Sequence, residues 1–326
     1  MKTLKILLVS VLLLNISPTF LEQQAAPGSA VKPRPEKICG VYVSIWTMNY
    51  PERCRPLLKN VKDSGLNTVV CDFDGANTAY LKNLDYAREL GLYLIARIVV
   101  FEEGLGATYQ TAEDPQNWQK KLALSQEATE LGFDEIQYDY IRFSDRGAPD
   151  PRKKDIIEKF LREARVSVNI PLGVDVFGSV AYQPHHIIGQ DLRRLSSHID
   201  AVSPMLYPSH FYGDRLRLSN PYRTLLEGST LGKNKLEGRP VRLIPYIQGF
   251  AMNLGYANMT LSNYIREQIR ACEDAGTDGF FIWHAGNEYA TALAVVKNYG
   301  ALYQRPPKTS AEIYQYLGVS PNTLLY

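Results

Sequence analysis

The sequence predicts a single-domain α/β protein built as a (β/α)8 barrel, and three observations carry that expectation. From Cys39 onward, short runs rich in Val, Ile, Tyr or Phe alternate with stretches whose apolar residues recur at three- and four-residue spacing. Eight such runs fill about 270 residues, with no weak point where a second core would begin. The glycine-rich phosphate loop of a doubly wound sheet is missing after the first run, where Ile45-Trp46-Thr47 stands instead.

The strands are expected at Gly40–Thr47, Asn67–Asp74, Leu92–Val100, Glu135–Phe143, Pro171–Gly178, Ala201–Tyr207, Val241–Phe250 and Gly279–Ala285. Helical periodicity covers Pro51–Ser64, Thr78–Leu90, Asn117–Leu131, Asp150–Val166 and Leu261–Ala275. Ser64-Gly65 and Leu90-Gly91 supply the glycine that closes a helix before the next strand. The barrel domain therefore spans 39–303; Arg305-Pro306-Pro307 ends its last helix and leaves 304–326 as a tail on the surface.

Ahead of the barrel, Lys2 and Lys5 precede an apolar run from Ile6 to Leu14, and small residues follow at Ala25–Ala30. Residues 1–30 read as a signal peptide, too short in its apolar part to span a bilayer, so the mature protein is expected to be secreted or periplasmic without stable membrane insertion. Residues 31–38, with Pro33 and Pro35, read as an extended linker.

Composition narrows the function. With 326 residues, 45% hydrophobic and 21% charged, the chain is neither disordered nor fibrous. Lys plus Arg number 36 against 34 Asp plus Glu, and a net charge of +2 creates no field for nucleic acid. Four cysteines without Cys-x-x-Cys spacing describe neither a zinc module nor a disulfide scaffold, and free thiols at Cys39 and Cys54 are favoured over a bridge. The five histidines show no His-x-x-x-His pair, so no metal and no other cofactor is expected. The protein is read as a monomer.

Strand parity then locates chemistry, because alternate residues face the barrel centre and catalytic groups of such barrels sit at the C-terminal strand ends. The inward set is Asp72 and Asp74 on the second strand, Arg97 on the third, Gln137 and Asp139 on the fourth, and Asp175 on the fifth. Converging carboxylates around a single Arg are costly to bury and point to a functional pocket. The other strands add Tyr42 and Trp46, Tyr207, Tyr246 with Gln248, and Trp283, while His210 follows the sixth strand and lines the cleft. Aromatic planes beside carboxylates and amides suit sugars, whose C–H faces stack while their hydroxyls hydrogen-bond.

Four segments resemble a known family. Gly132-Phe-Asp-Glu-Ile-Gln-Tyr-Asp-Tyr-Ile-Arg-Phe143, Tyr93-Leu-Ile-Ala-Arg-Ile-Val-Val-Phe101, Val174-Asp-Val-Phe-Gly178 and Ala201-Val-Ser-Pro-Met-Leu-Tyr-Pro-Ser-His210 are similar, in that order, to the glycoside-hydrolase-like family catalogued as DUF4015. The resemblance runs from about Gly40 to Tyr289 and implies a barrel acting on carbohydrate, with Asp139 as its essential carboxylate. The chain departs from the family pattern at the mouth, with Ser144 in place of a usual Pro and Ile244-Pro-Tyr-Ile-Gln248 in place of an Arg-Pro-Trp-Leu-Gln run.

The resulting expectation is a glycoside hydrolase cleaving an oligo- or polysaccharide, with Asp139 and Asp175 as the catalytic pair. Adjacent strands lie roughly 4.8 Å apart, which brings their inward carboxylates near the separations of roughly 5 to 9.5 Å that glycosidases use. Asp72, Asp74, Arg97, Gln137, Tyr207, His210, Tyr246, Gln248 and Trp283 are expected to bind substrate. The alternative is a carbohydrate-binding barrel that has lost catalysis.

Overall fold

A computed structural model describes residues 32–101 and 106–320. The segment read as a signal peptide lies outside the described residues. The β-rich runs become strands β1 (Ile38–Val43), β2 (Thr68–Asp72), β3 (Tyr93–Val99), β4 (Glu135–Asp139), β5 (Leu172–Phe177), β6 (Ala201–Met205), β7 (Arg242–Leu243), β8 (Tyr246–Gln248) and β9 (Gly279–Trp283). All pair in parallel, each with its neighbours around a ring, and β1 closes it against β9 through Ile38 opposite Gly279. β7 and β8 together form the seventh stave, where one continuous strand was expected. Pro245 has no N–H for the ladder, so the run breaks at Ile244-Pro245 and resumes at Tyr246. The eight-stave parallel barrel with helices outside is the (β/α)8 fold that the sequence predicts.

The helices start and stop where their residues dictate. Asp114 and Asn220 accept hydrogen bonds from the first turns of Pro115–Glu130 and Pro221–Leu236, with Pro at the first helical position of each. Gly65 and Gly91 adopt positive φ of 97° and 71° just past the helices Pro51–Asp63 and Thr78–Glu89. Helix Pro221–Leu236 is not among the helical stretches read from periodicity, and it carries two glycines, Gly228 and Gly232. Packing explains both: a Cβ at Gly228 would stand 2.7 Å from Leu206 Cδ2, and one at Gly232 would stand 3.2 Å from Leu243 Cδ1.

Strand parity separates two cores. Val41, Val69, Cys71, Ile136, Tyr138, Val174 and Val202 pack outward against the helices. Ile38, Tyr42, Val70, Tyr93, Ile95, Tyr246 and Phe281 fill the barrel. The four cysteines are buried and free, Cys39 and Cys54 included.

The ends of the barrel domain are fastened. The tail forms helix Ser310–Leu317, which buries Ile313 and Leu317 and accepts a 2.9 Å hydrogen bond from Arg223 at the Leu317 carbonyl. Its remaining described residues lie on the surface, most of them exposed. At the opposite edge, Arg34 reaches under the barrel and donates two 3.0 Å hydrogen bonds to Glu135, with a third to the Asp200 carbonyl. Burial raises the Glu135 carboxyl above its ordinary value, and Arg34 and Tyr93 oppose that. Replacing Arg34 by Ala removes the charge partner of a buried carboxylate, so we expect a loss of about 3 kcal/mol in urea unfolding. An Arg34→Ala/Glu135→Gln protein should regain most of it; no difference between the parent and the single variant would show that the contact carries nothing.

Candidate active site

Register brings the charged side chains together. Asp72 on β2 lies opposite Arg97 on β3, and Asp139 ends β4 opposite Val99. Arg97 is only 3% exposed and is the hub. Its Nη2 and Nε donate to Asp139 Oδ2 at 2.6 and 3.0 Å, its Nη1 donates to Asp72, and Asp175 Oδ2 stands 4.0 Å from Nε. Asp139 and Asp175 thus each turn an oxygen toward the same nitrogen of Arg97. Tyr42, stacked on Trp283 with ring centroids 3.9 Å apart, donates its hydroxyl to Asp72. Arg97 lies 5.4 Å from both of those rings, a cation over aromatic faces.

The chain turns sharply after Asp139. Tyr140 takes a left-handed φ of 52°, and its N–H donates 2.6 Å to Asp139 Oδ1. A bulky residue in that region is strained, and such strain gathers at functional sites. The turn places Tyr140 on the wall of a cavity of about 280 Å³, with Arg97, Asp139, Arg142, Phe177, Tyr207, His210 and Trp283 among its other lining groups.

Asp175 differs from its neighbours. It is 1% exposed, its Oδ1 has no hydrogen-bond partner among the described residues, and it is absent from the cavity wall. Burial, reinforced by the charge of Asp139, pushes its carboxyl well above the usual carboxylate range. A raised folded-state pKa favours folding most at low pH, and that contribution is lost as pH climbs from about 4 toward the raised value. Asp175→Asn mimics the protonated form, so its unfolding free energy in urea should hold as pH rises while the parent's falls by up to about 1.4 kcal/mol per pH unit. An Asn variant less stable than the parent at pH 7 would instead mean that Asp175 is an ionised partner of Arg97.

The structure sorts the remaining expected site residues into two groups. Tyr207, His210 and Trp283 line the cavity. Asp74 lies past the end of β2, 59% exposed and 3.7 Å from Lys120, and borders a separate shallow pocket shared by Asp72 and Arg97. Gln137 and Tyr246 are buried below the cavity and spend their polar atoms on each other at 2.7 Å, with Gln137 also donating to Ser203. Gln248 is buried as well; it accepts from Ser209 N–H and donates to the Phe250 and Met252 carbonyls, joining two mouth loops. None of these three amide or phenol groups is on the cavity wall, a correction to their expected contact with substrate: parity gives the direction of a side chain and not its depth. Trp46 is also displaced, because β1 ends at Val43 and Ser44 caps a short helix, Ile45–Met48, that carries Trp46 to the rim. Tyr140, Arg142, Phe177, Gln190, Met205 and Phe211 also line the cavity, and none of them is among the site residues expected from the sequence.

Arg97 fills the space among Asp72, Asp139 and Asp175 that a cation would otherwise take. Among the described residues no group of three or more His, Cys, Asp or Glu side chains is arranged to hold a metal ion.

Comparison with known proteins gives this arrangement a family. The model of DUF4015, described as "Putative glycosyl hydrolase domain", matches residues 103–289, more than half of the chain. The chain belongs to the DUF4015 family. No curated protein matches this DUF4015 chain. Among solved structures it is similar to the PgaB (BpsB) glycoside hydrolase domain from Bordetella bronchiseptica, with TM-score 0.62 and 12% identity over 82% of this chain and 99% of that one. The endo-β-1,4-mannanase from Thermotoga petrophila aligns with TM-score 0.61 and 15% identity over 84% and 78% of the two chains. A chitinase from Chromobacterium violaceum gives TM-score 0.57 and 12% identity over 80% and 98%. At these identities the likeness is one of fold, and it agrees with the barrel described above.

Proposed function

We propose that the DUF4015 chain is a secreted or periplasmic glycoside hydrolase that cleaves an oligo- or polysaccharide, with Asp139 as the carboxylate that meets the substrate. The observation that carries this reading is the position of Asp139: it ends β4, belongs to the Arg97 cluster, and is the carboxylate of that cluster that opens on the cavity. Tyr140, Tyr207 and Trp283 beside it offer ring faces to a sugar, and Arg142 offers donors. Arg97 fixes Asp139 in orientation. Asp175, buried beside it, has its carboxyl pushed up by burial and by the charge of Asp139, which favours the neutral form there.

A second reading, a carbohydrate-binding barrel without catalysis, draws on the same cluster, since Arg97 neutralises Asp139 and Asp175 is closed off from the cavity. Against it stands the composition of the cluster: three carboxyl groups gather on one guanidinium, which donates hydrogen bonds to only two of them, Asp72 and Asp139.

The test is a screen of the purified protein against mannans, chitin and other polysaccharides, with product sizes read by mass spectrometry. Oligosaccharide release from within chains supports the hydrolase and its endo mode. Release of monosaccharides alone removes the endo mode, and measurable binding with no cleavage of any polymer moves the assignment to the binding barrel. N-terminal sequencing of the native product tests export: a chain intact from Met1 in the cytoplasm would exclude it.

A further inference from the structure

The cavity at Asp139 has a built continuation on one side. His210 lines the cavity and lies nearly parallel to Tyr212, at 17° with ring centroids 6.4 Å apart. Tyr212 is 74% exposed, and Met252 and Tyr256 are exposed as well. Large apolar side chains scattered singly need no explanation, whereas a set gathered beside a cavity marks a contact surface. These residues come from the loops after β6 and β8, and the two loops are held as one body. Gln248 joins Ser209 to Phe250 and Met252, Asn253 donates 3.4 Å to the Ser209 carbonyl, and Phe250 packs edge-on to Tyr207 at 5.7 Å. The short helices that follow, Arg215–Ser219 and Leu254–Ala257, also pack on each other.

We propose that Tyr212 is a remote sugar-binding platform, taking by stacking a ring of the same glycan chain beyond the one held in the cavity. This rests on the glycan reading of the site. The occupant follows from continuity: a chain leaving the cavity past His210 next meets the Tyr212 ring, whose amphipathic face suits the C–H surface of a pyranose and is held by two torsions only. A ring gripped there adds binding for long chains and nothing for short ones, since a disaccharide seated in the cavity does not reach it. Tyr212 thereby sets preference for chain length without entering the chemistry.

The experiment compares the parent, Tyr212→Ala and Tyr212→Trp on manno- and chito-oligosaccharides from dimer to hexamer, and measures the same proteins by affinity electrophoresis in soluble mannan and glycol chitin. An exposed surface residue can be replaced without loss of fold. We expect Tyr212→Ala to raise KM, or weaken binding, about 3- to 10-fold for the longest ligands, with kcat and the short ligands unchanged and Tyr212→Trp restoring the parent value. Equal loss at every length, or parent-like behaviour of Tyr212→Ala at every length, overturns the platform. Binding of long chains that depends on Tyr212 without cleavage supports the platform while removing the hydrolase, so the two readings fail separately.

Discussion

Asp139→Asn should lower kcat on a confirmed glycan substrate about a hundred- to ten-thousandfold and leave the fold and the affinity for substrate largely in place. A carboxylate positioned for acid–base or nucleophilic work contributes about two to four orders of magnitude, and this one is the member of the acidic cluster that opens on the cavity. The amide oxygen can still accept from Arg97, whose Nη2 and Nε both reach one oxygen of Asp139 at 2.6 and 3.0 Å, while the contact given up is the one from Tyr140 N–H to the other oxygen. Removing one negative charge also lowers the electrostatic pressure on Asp175, so the variant should not unfold earlier at neutral pH. Steady-state kinetics with thermal melts decides the matter. A rate close to the parent's excludes Asp139 as a catalytic group, whatever the fate of the other carboxylates.

Arg97→Met should be the most damaging single change to stability. Met fills the space, but Asp72 and Asp139 are left without the guanidinium that donates to them, Asp139 almost fully enclosed. Stripping the partner from a buried charge costs about 3–5 kcal/mol. The loss carries a pH signature. Without Arg97 the folded carboxylates take raised pKa values, so the deficit is largest at neutral pH and shrinks as pH falls toward about 4, where unfolded Asp also binds protons. Denaturant titrations at several pH values test this. A deficit independent of pH would mean that packing around the Arg97 stem is what was lost. Arg97→Lys should recover only part, because one ammonium cannot reproduce a fork that serves two carboxylates.

The barrel was legible because its signals are local and repeated: β-branched and aromatic runs, amphipathic spacers, and glycines such as Gly65 and Gly91 at the helix ends. Parity also placed Asp72, Arg97, Asp139 and Asp175 correctly toward the axis. What it could not supply was height along that axis. Gln137 and Tyr246 have the polarity of substrate-binding groups, yet they meet each other on the floor of the barrel, and the partner that satisfies each is 109 residues away in sequence. Tyr140 was out of reach for another reason: parity holds for extended backbone, and a left-handed φ turns its side chain out of the strand's alternation. Helix Pro221–Leu236 was absent from the sequence reading, and its Gly228 and Gly232 admit Leu206 and Leu243, neighbours that only the fold supplies.

The closing of the ring between β1 and β9 bears on how the protein is made. The first stave finds its second partner only when Gly279–Trp283 has been synthesised, so a nascent chain carries an unpaired β1 edge through most of translation. Arg34 waits likewise, since Glu135 and the Asp200 carbonyl must be in place before it can lock the base. A product truncated before Gly279 would retain two open parallel edges able to recruit strands from other molecules, and it is there, more than in the finished barrel, that aggregation would begin.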